Sequence, residues 1–113
     1  MLKIYHNPRC RKSREGLTIL QDSGKEFEQV LYLKNILSKE ELLELLDKLG
    51  YAPIDLVRTN EAIWKENYKG KALTDSMIID ALLQHPKLIE RPIVVSKDKA
   101  VVGRPPEKIK DIL

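Results

Sequence analysis

One cysteine is all this chain has, with one tryptophan, one phenylalanine and five glycines among its 113 residues. A lone thiol excludes an intramolecular disulfide, and with only His6 and His85 beside it the composition argues against a structural zinc site. Any redox role must therefore draw a second thiol from outside the chain. No apolar run approaches the roughly 18 residues of a membrane span, so no membrane association is expected. The opening "MLKIYHNPRC" passes from apolar residues straight into a turn, without the basic region, apolar stretch and cleavage site of a leader, and a cytoplasmic protein is expected. Neither sign of charge dominates: the formal net charge is +3, and Lys and Arg alternate with Asp and Glu. That balance favours anion binding weakly and gives no concentrated patch of the kind nucleic acid requires. Internal repeats and low-complexity segments are also absent.

What remains is the composition of a globular protein, with 42% apolar and 33% charged residues, and a length that fits one domain over residues 1–113. "LKIY" reads as a first strand closed by Asn7-Pro8. A helix follows from about Cys10, with Leu17 and Leu20 at helical spacing and Gly24 at its stop. "FEQVLYL" reads as a second strand. "SKEELLELLDKLG" carries Ser38 as N-cap, Glu41 three residues on as a capping box, an apolar face of Leu42, Leu45, Leu46 and Leu49, and Gly50 at the end. Residues 52–72 are polar and interrupted, and predict only short helical turns. A helix returns in "TDSMIIDALLQHP", capped by Thr74 and ended by Pro86. "RPIVV", "SKDK" and "AVVG" form a strand, a tight turn and a strand, and "PPEKIKDIL" a final Pro-opened helix with Ile109, Ile112 and Leu113 inward. The order βαβ, helices, ββα is that of a thioredoxin-like α/β fold: a four-stranded mixed sheet flanked by helices, with a helical insertion between the two halves.

The cysteine sits in "YHNPRCRKSREG", amid Arg9, Arg11, Lys12 and Arg14. A free cysteine is more often a small buried hydrophobe than a nucleophile, but such a residue is flanked by apolar neighbours, not arginines. At a helix start the thiol lies over the first-turn N–H groups, where backbone dipoles and cations bring a thiol pKa from about 8.5 toward about 3.5–7.5. Arg14, one turn along, is expected to face the site and Lys12 to face solvent. Asn7 and Ser13 are each placed to donate a hydrogen bond to the thiolate, Ser13 because three residues along a helix returns to the same face. His6 reads equally as a satisfied strand-end histidine or as a group tuning the local field.

With "HNPRCRKSRE" followed in order by "LVRTNE", "HPKLIERPIVV" and "AVVGRPPEKI", the chain resembles the glutaredoxin-linked arsenate reductase family over essentially its whole length. That family is related to the Spx-type redox regulators of transcription. The resemblance implies a thioredoxin-like fold, a nucleophile at Cys10, and three oxyanion-binding arginines at Arg58, Arg91 and Arg104, with His6 as the family histidine. It also implies a cis bond between Arg91 and Pro92 that brings Arg91 beside Cys10. Guanidinium forks suit a tetrahedral oxyanion and stay charged at every working pH. The implied activity is arsenate reduction by a monomer, with no bound metal or organic cofactor, glutathione as co-substrate and glutaredoxin as the protein partner. One departure stands out: Arg11 and Lys12 follow the nucleophile where family residues are often small. Two other readings stay open. A glutathione-dependent thiol reductase would use Cys10 without the three-arginine site. An Spx-like regulator that binds RNA polymerase would need a C-x-x-C switch, and "CRKS" ends in Ser13.

Overall fold

The computed structural model describes residues 2–113. The chain forms two compact units: the first joins the chain up to Asn35 with Arg91–Leu113, and the second is Ile36–Glu90, the expected helical insertion.

In the first unit β1 (Leu2–Tyr5), α1 (Arg11–Asp22) and β2 (Phe27–Val30) come from the N-terminal stretch, and β3 (Ile93–Val95) and β4 (Ala100–Val102) from the C-terminal one. The sheet order is β2-β1-β3-β4. β1 pairs with β2 in parallel and with β3 antiparallel, and β3 with β4 antiparallel, which is the mixed sheet the element order predicts. β1 is thus internal to the sheet, which suits the nearly unbroken apolar "LKIY". Ile4, Leu20, Val94 and Ile109 close the core with no exposed surface, each worth about 1.5–3 kcal/mol of burial.

Two expectations need correction here. β2 stops at Val30, short of the seven residues of "FEQVLYL", because the chain turns: the Lys34 and Asn35 N–H groups both donate to the Leu31 carbonyl, at 3.0 and 2.9 Å. The final helix is a 3₁₀ helix over Pro106–Ile112, with Ile109 fully buried and Ile112 and Leu113 packed at the edge of the core.

In the second unit local signals hold. α2 (Lys39–Leu49) has the Ser38–Glu41 capping box, with Leu42, Leu45 and Leu46 buried and Gly50 left-handed at φ 69°. Residues 52–72 form a 3₁₀ turn (Pro53–Leu56) and the short α3 (Ala62–Asn67), whose buried Trp64 stacks on Tyr68 at 5.2 Å. α4 (Asp75–Gln84) is capped by Thr74, which accepts the Met77 N–H at 3.2 Å. An antiparallel bridge joins Val57 to Ile89, with the Arg58 N–H donating to the Leu88 carbonyl at 2.7 Å. Among the described residues no helix is long and apolar enough to cross a membrane.

Candidate active site

The loop between β1 and α1 is fixed by its own backbone. The His6 N–H donates to the Val30 carbonyl at 2.9 Å, and the Cys10 N–H donates back to the Asn7 carbonyl at 3.0 Å. The Asn7 side chain then accepts the Arg9 N–H at 3.0 Å, so the Asn-Pro turn holds itself closed. Cys10 emerges as the N-cap of α1 with extended backbone (φ −92°, ψ 123°), as the spacing predicts.

Beneath the cysteine lies a buried polar network. Ser13 has no exposed surface, and its hydroxyl oxygen accepts the Asn7 N–H at 2.9 Å and meets His6 Nδ1 at 2.6 Å. The Asn7 amide can only donate, so the serine oxygen accepts there and its remaining hydrogen-bonding capacity is shared with the imidazole. Burial and the nearby Arg14 charge lower the His6 pKa, opposed by a hydrogen bond with Ser13, so the neutral ring is the favoured form. His6 is therefore a buried strand-end histidine met by Ser13, in surroundings that favour its neutral ring.

Burial raises the pKa of the Cys10 thiol, and four effects outweigh it: the Ser13 backbone amide, a hydrogen bond from the Arg91 side chain, the Arg91 charge, and the Lys12 amide. The net direction is down. The cap side chain makes no full hydrogen bond to the first turn, so the amides act on the sulfur as dipoles that favour its thiolate. Ser13 thus acts on Cys10 through its backbone, since its hydroxyl is engaged with His6 and Asn7. Arg14 is exposed and donates to the Pro8 carbonyl at 3.0 Å, and its electrostatic effect falls on His6. Arg11 and Lys12 turn to Glu15, at 3.2 and 3.9 Å, so their charge is partly met on the surface of α1.

Arg91 reaches the cysteine because Pro92 is pressed against α1. A Cβ on Gly16 would lie 2.7 Å from Pro92 Cγ and 2.8 Å from Ile109 Cδ1, so only glycine admits this approach. Gly103 plays the same part just after β4, where a Cβ would come within 2.9 Å of Ile109 and 3.0 Å of Pro92. The Gly103 N–H also donates to the Pro92 carbonyl at 2.8 Å. The Arg91-Pro92 bond is cis, as the resemblance implied, and so is Arg104-Pro105, which nothing in the sequence reading had singled out. Arg91 is only 9% exposed, and the Arg104 guanidinium donates to its carbonyl at 3.2 Å. Cys10, Arg91, Pro92 and Arg104 are therefore gathered in one unit, over His6, Asn7 and Ser13. Arg58 belongs to the second unit, where its guanidinium pairs with Glu61 at 2.7 Å. The sequence reading missed Glu61, which stands at the N-cap of α3 at the end of the turn that begins at Arg58, a turn that no helical spacing announces. It also missed Gly16 and Gly103.

Comparisons with known proteins show which family shares this fold. The chain is 46% identical to the uncharacterized protein YfgD of Escherichia coli strain K12, over 99% of this chain and 96% of that one. It is 41% identical to an arsenate reductase of Haemophilus influenzae, covering 97% of each. The solved structure of an arsenate reductase from Vibrio cholerae superposes with a TM-score of 0.94 at 43% identity, over 99% of this chain and 97% of that one. The family model for the ArsC family matches residues 5–112, which takes in Cys10, all three arginines and the whole sheet but for residues 2–4 of β1: the chain belongs to the ArsC family.

Proposed function

We propose that this protein is an arsenate reductase whose nucleophile is Cys10, whose oxyanion ligands are Arg58, Arg91 and Arg104, and whose reductants are glutathione and glutaredoxin. The observation that carries the reading is Cys10 standing as the N-cap of α1, where the first-turn amides and the Arg91 guanidinium hold its thiol pKa down. Attack of a thiolate on an oxyanion brings two negative charges together. A fixed guanidinium that already favours the thiolate also stabilises the charge gathered in that transition state. The relatives named arsenate reductases support arsenate as the oxyanion.

The chemistry then follows from having one cysteine. The Cys10 thiolate forms an S–As bond and one arsenate oxygen leaves as water, with arsenic still at +5. Glutathione replaces a second oxygen, again as water. A glutaredoxin thiolate attacks the glutathione sulfur, the S–As electron pair stays on arsenic, and the product is arsenic at +3 and a glutaredoxin–glutathione disulfide. Hydrolysis releases arsenite and restores Cys10. Two electrons leave two external thiols, because the chain has no second cysteine with which to form a disulfide.

Purified protein supplied with arsenate, NADPH and glutathione reductase tests this, with glutathione or glutaredoxin omitted in turn. NADPH oxidation is expected to be negligible without glutathione, and to pass one turnover only with glutaredoxin. Cys10→Ser is expected to abolish it while leaving the fold intact, since serine is nearly isosteric and a far weaker nucleophile. Turnover with thioredoxin alone would contradict the external-thiol scheme. No arsenate turnover, with Cys10 still forming a glutathione adduct, would favour the thiol-reductase reading instead.

A further inference from the structure

The loop that carries the nucleophile also forms one side of a groove of about 400 Å³, lined by residues 6–9 and by Leu31, Leu33 and Lys34, all within the first unit. The sheet creates it. β1 and β2 are paired as far as Tyr5 and Val30, the His6 N–H adds one more bond to the Val30 carbonyl at 2.9 Å, and the strand pairing ends there. β2 then gives way to its turn, which leaves Leu31 and Leu33 lining the groove, Leu33 with 38% of its surface exposed.

Two cations line this groove, Arg9 from the loop and Lys34 from the turn. Among the described residues neither has a carboxylate within ion-pair distance, whereas Arg11 and Lys12, next along the chain, are both met by Glu15. An open groove with apolar surface, a cation on each of its two lining segments and a volume within the usual range of about 300–1,000 Å³ suits a small molecule that carries two carboxylates. Glutathione is such a molecule, with carboxylates toward its two ends and a thiol between them.

We propose that this groove binds the low-molecular peptide thiol, with Arg9 and Lys34 receiving its two carboxylates. The assignment rests on the function proposed above and adds where the second sulfur is held. The groove's wall and the nucleophile belong to one turn, since the Cys10 N–H closes onto the Asn7 carbonyl at 3.0 Å. The bound thiol has one step to perform: its sulfur bonds to arsenic on the Cys10 adduct, an As–O bond breaks, and the oxygen leaves as water with the thiol proton. Arsenic stays at +5 and no electron moves.

Titration of ¹⁵N-labelled protein with S-methylglutathione, which keeps both carboxylates but cannot react, tests the site without any arsenate. Shifts are expected at the amides of residues 6, 7, 9 and 31–34, with affinity lower by about ten-fold in the exposed double variant Arg9→Ala/Lys34→Ala, from the loss of two charge contacts. In steady-state arsenate reduction the same variant is expected to raise the KM for glutathione by about ten-fold while the KM for arsenate is unchanged. Shifts elsewhere, or equal affinity in the double variant, would overturn the assignment. So would a raised KM for glutaredoxin with that for glutathione unmoved, which would make the groove a protein-docking face. S-methylglutathione shifts at the groove in a protein that never turns over arsenate would leave the site standing and overturn only the proposed function. Arsenate turnover with no such shifts would do the reverse.

Discussion

Arg91 and Arg58 are the same side chain held in opposite ways. Arg91, in the first unit, is 9% exposed and is aimed by contacts from three separate stretches of chain: Gly16 of α1, Gly103 after β4 and Ile109 of the last 3₁₀ helix all fix Pro92 beside it. Arg58, in the second unit, is held by a carboxylate three residues away at 2.7 Å, with both side chains partly exposed at 23% and 29%. Long-range packing gives Arg91 a fixed direction and a charge that acts on the Cys10 thiol. A local ion pair gives Arg58 a partner of its own, which it would have to leave or share to bind an oxyanion as proposed. The arginine with no freedom is therefore expected to matter most in the chemical step, and the paired one in binding.

Arg91→Ala breaks that comparison most directly. Losing its charge and hydrogen bond is expected to cost about 2–4 kcal/mol of transition-state stabilisation, read as kcat/KM for arsenate. The Cys10 pKa is expected to rise at the same time, because burial then acts with less opposition. The sign also appears in stability. A thiol whose folded pKa is depressed stabilises the fold above its unfolded pKa, and that contribution is lost as pH falls through the folded value. Arg91→Ala should shrink it. Thiolate absorbance followed against pH gives the midpoint, and an unmoved midpoint would remove Arg91 from the activation of Cys10.

Glycines in the two units sharpen the contrast at the next scale. Gly16→Ala drives a methyl group into Pro92 and Ile109 and is expected to cost about 1–3 kcal/mol of stability, with a fall in turnover as Pro92 and Arg91 shift. Gly50→Ala meets nothing within 4 Å and suffers only from its positive φ, at about 1–2 kcal/mol, with turnover kept. Chemical denaturation alongside turnover separates the two. Equal losses of turnover would show that the Gly16 contact does not aim the arginine.

The smallest effect expected is that of Glu61→Gln. Removing the carboxylate charge releases Arg58, at a stability cost of no more than about 1 kcal/mol for a partly exposed pair. The KM for arsenate is expected to fall, by no more than about five-fold. An unchanged KM in steady-state kinetics would mean that Arg58 takes no part in binding.

The same division governs what could be read from the sequence. α2 and α4 were legible because their signals lie within a few residues: Ser38 with Glu41, Thr74 before Asp75, Gly50 and Pro86 at the stops. Cys10 at a helix start was legible for the same reason. β2 was read too long because Leu31, Tyr32 and Leu33 continue its apolar character, while the turn there depends on backbone bonds that composition does not announce. The aiming of Arg91 was beyond local reasoning, since Gly16, Pro92, Gly103 and Ile109 meet across almost the whole chain. Arg14 was assigned to the site from proximity in sequence, and the structure has it donating to the Pro8 carbonyl of the Cys10 loop with its charge acting on His6.

The Ser13 hydroxyl has a consequence for how this protein could change. Two groups already depend on that oxygen in a space with no exposed surface, the Asn7 N–H and His6 Nδ1. Sulfur is larger, a poorer acceptor and a weaker donor, so a cysteine there would disturb both partners just where the nucleophile's loop is anchored. The codon step from serine to cysteine is short, but the structural step is not. On the proposed function a chain built this way borrows its second thiol, and acquiring one of its own at this position would require rebuilding the floor of the site around it.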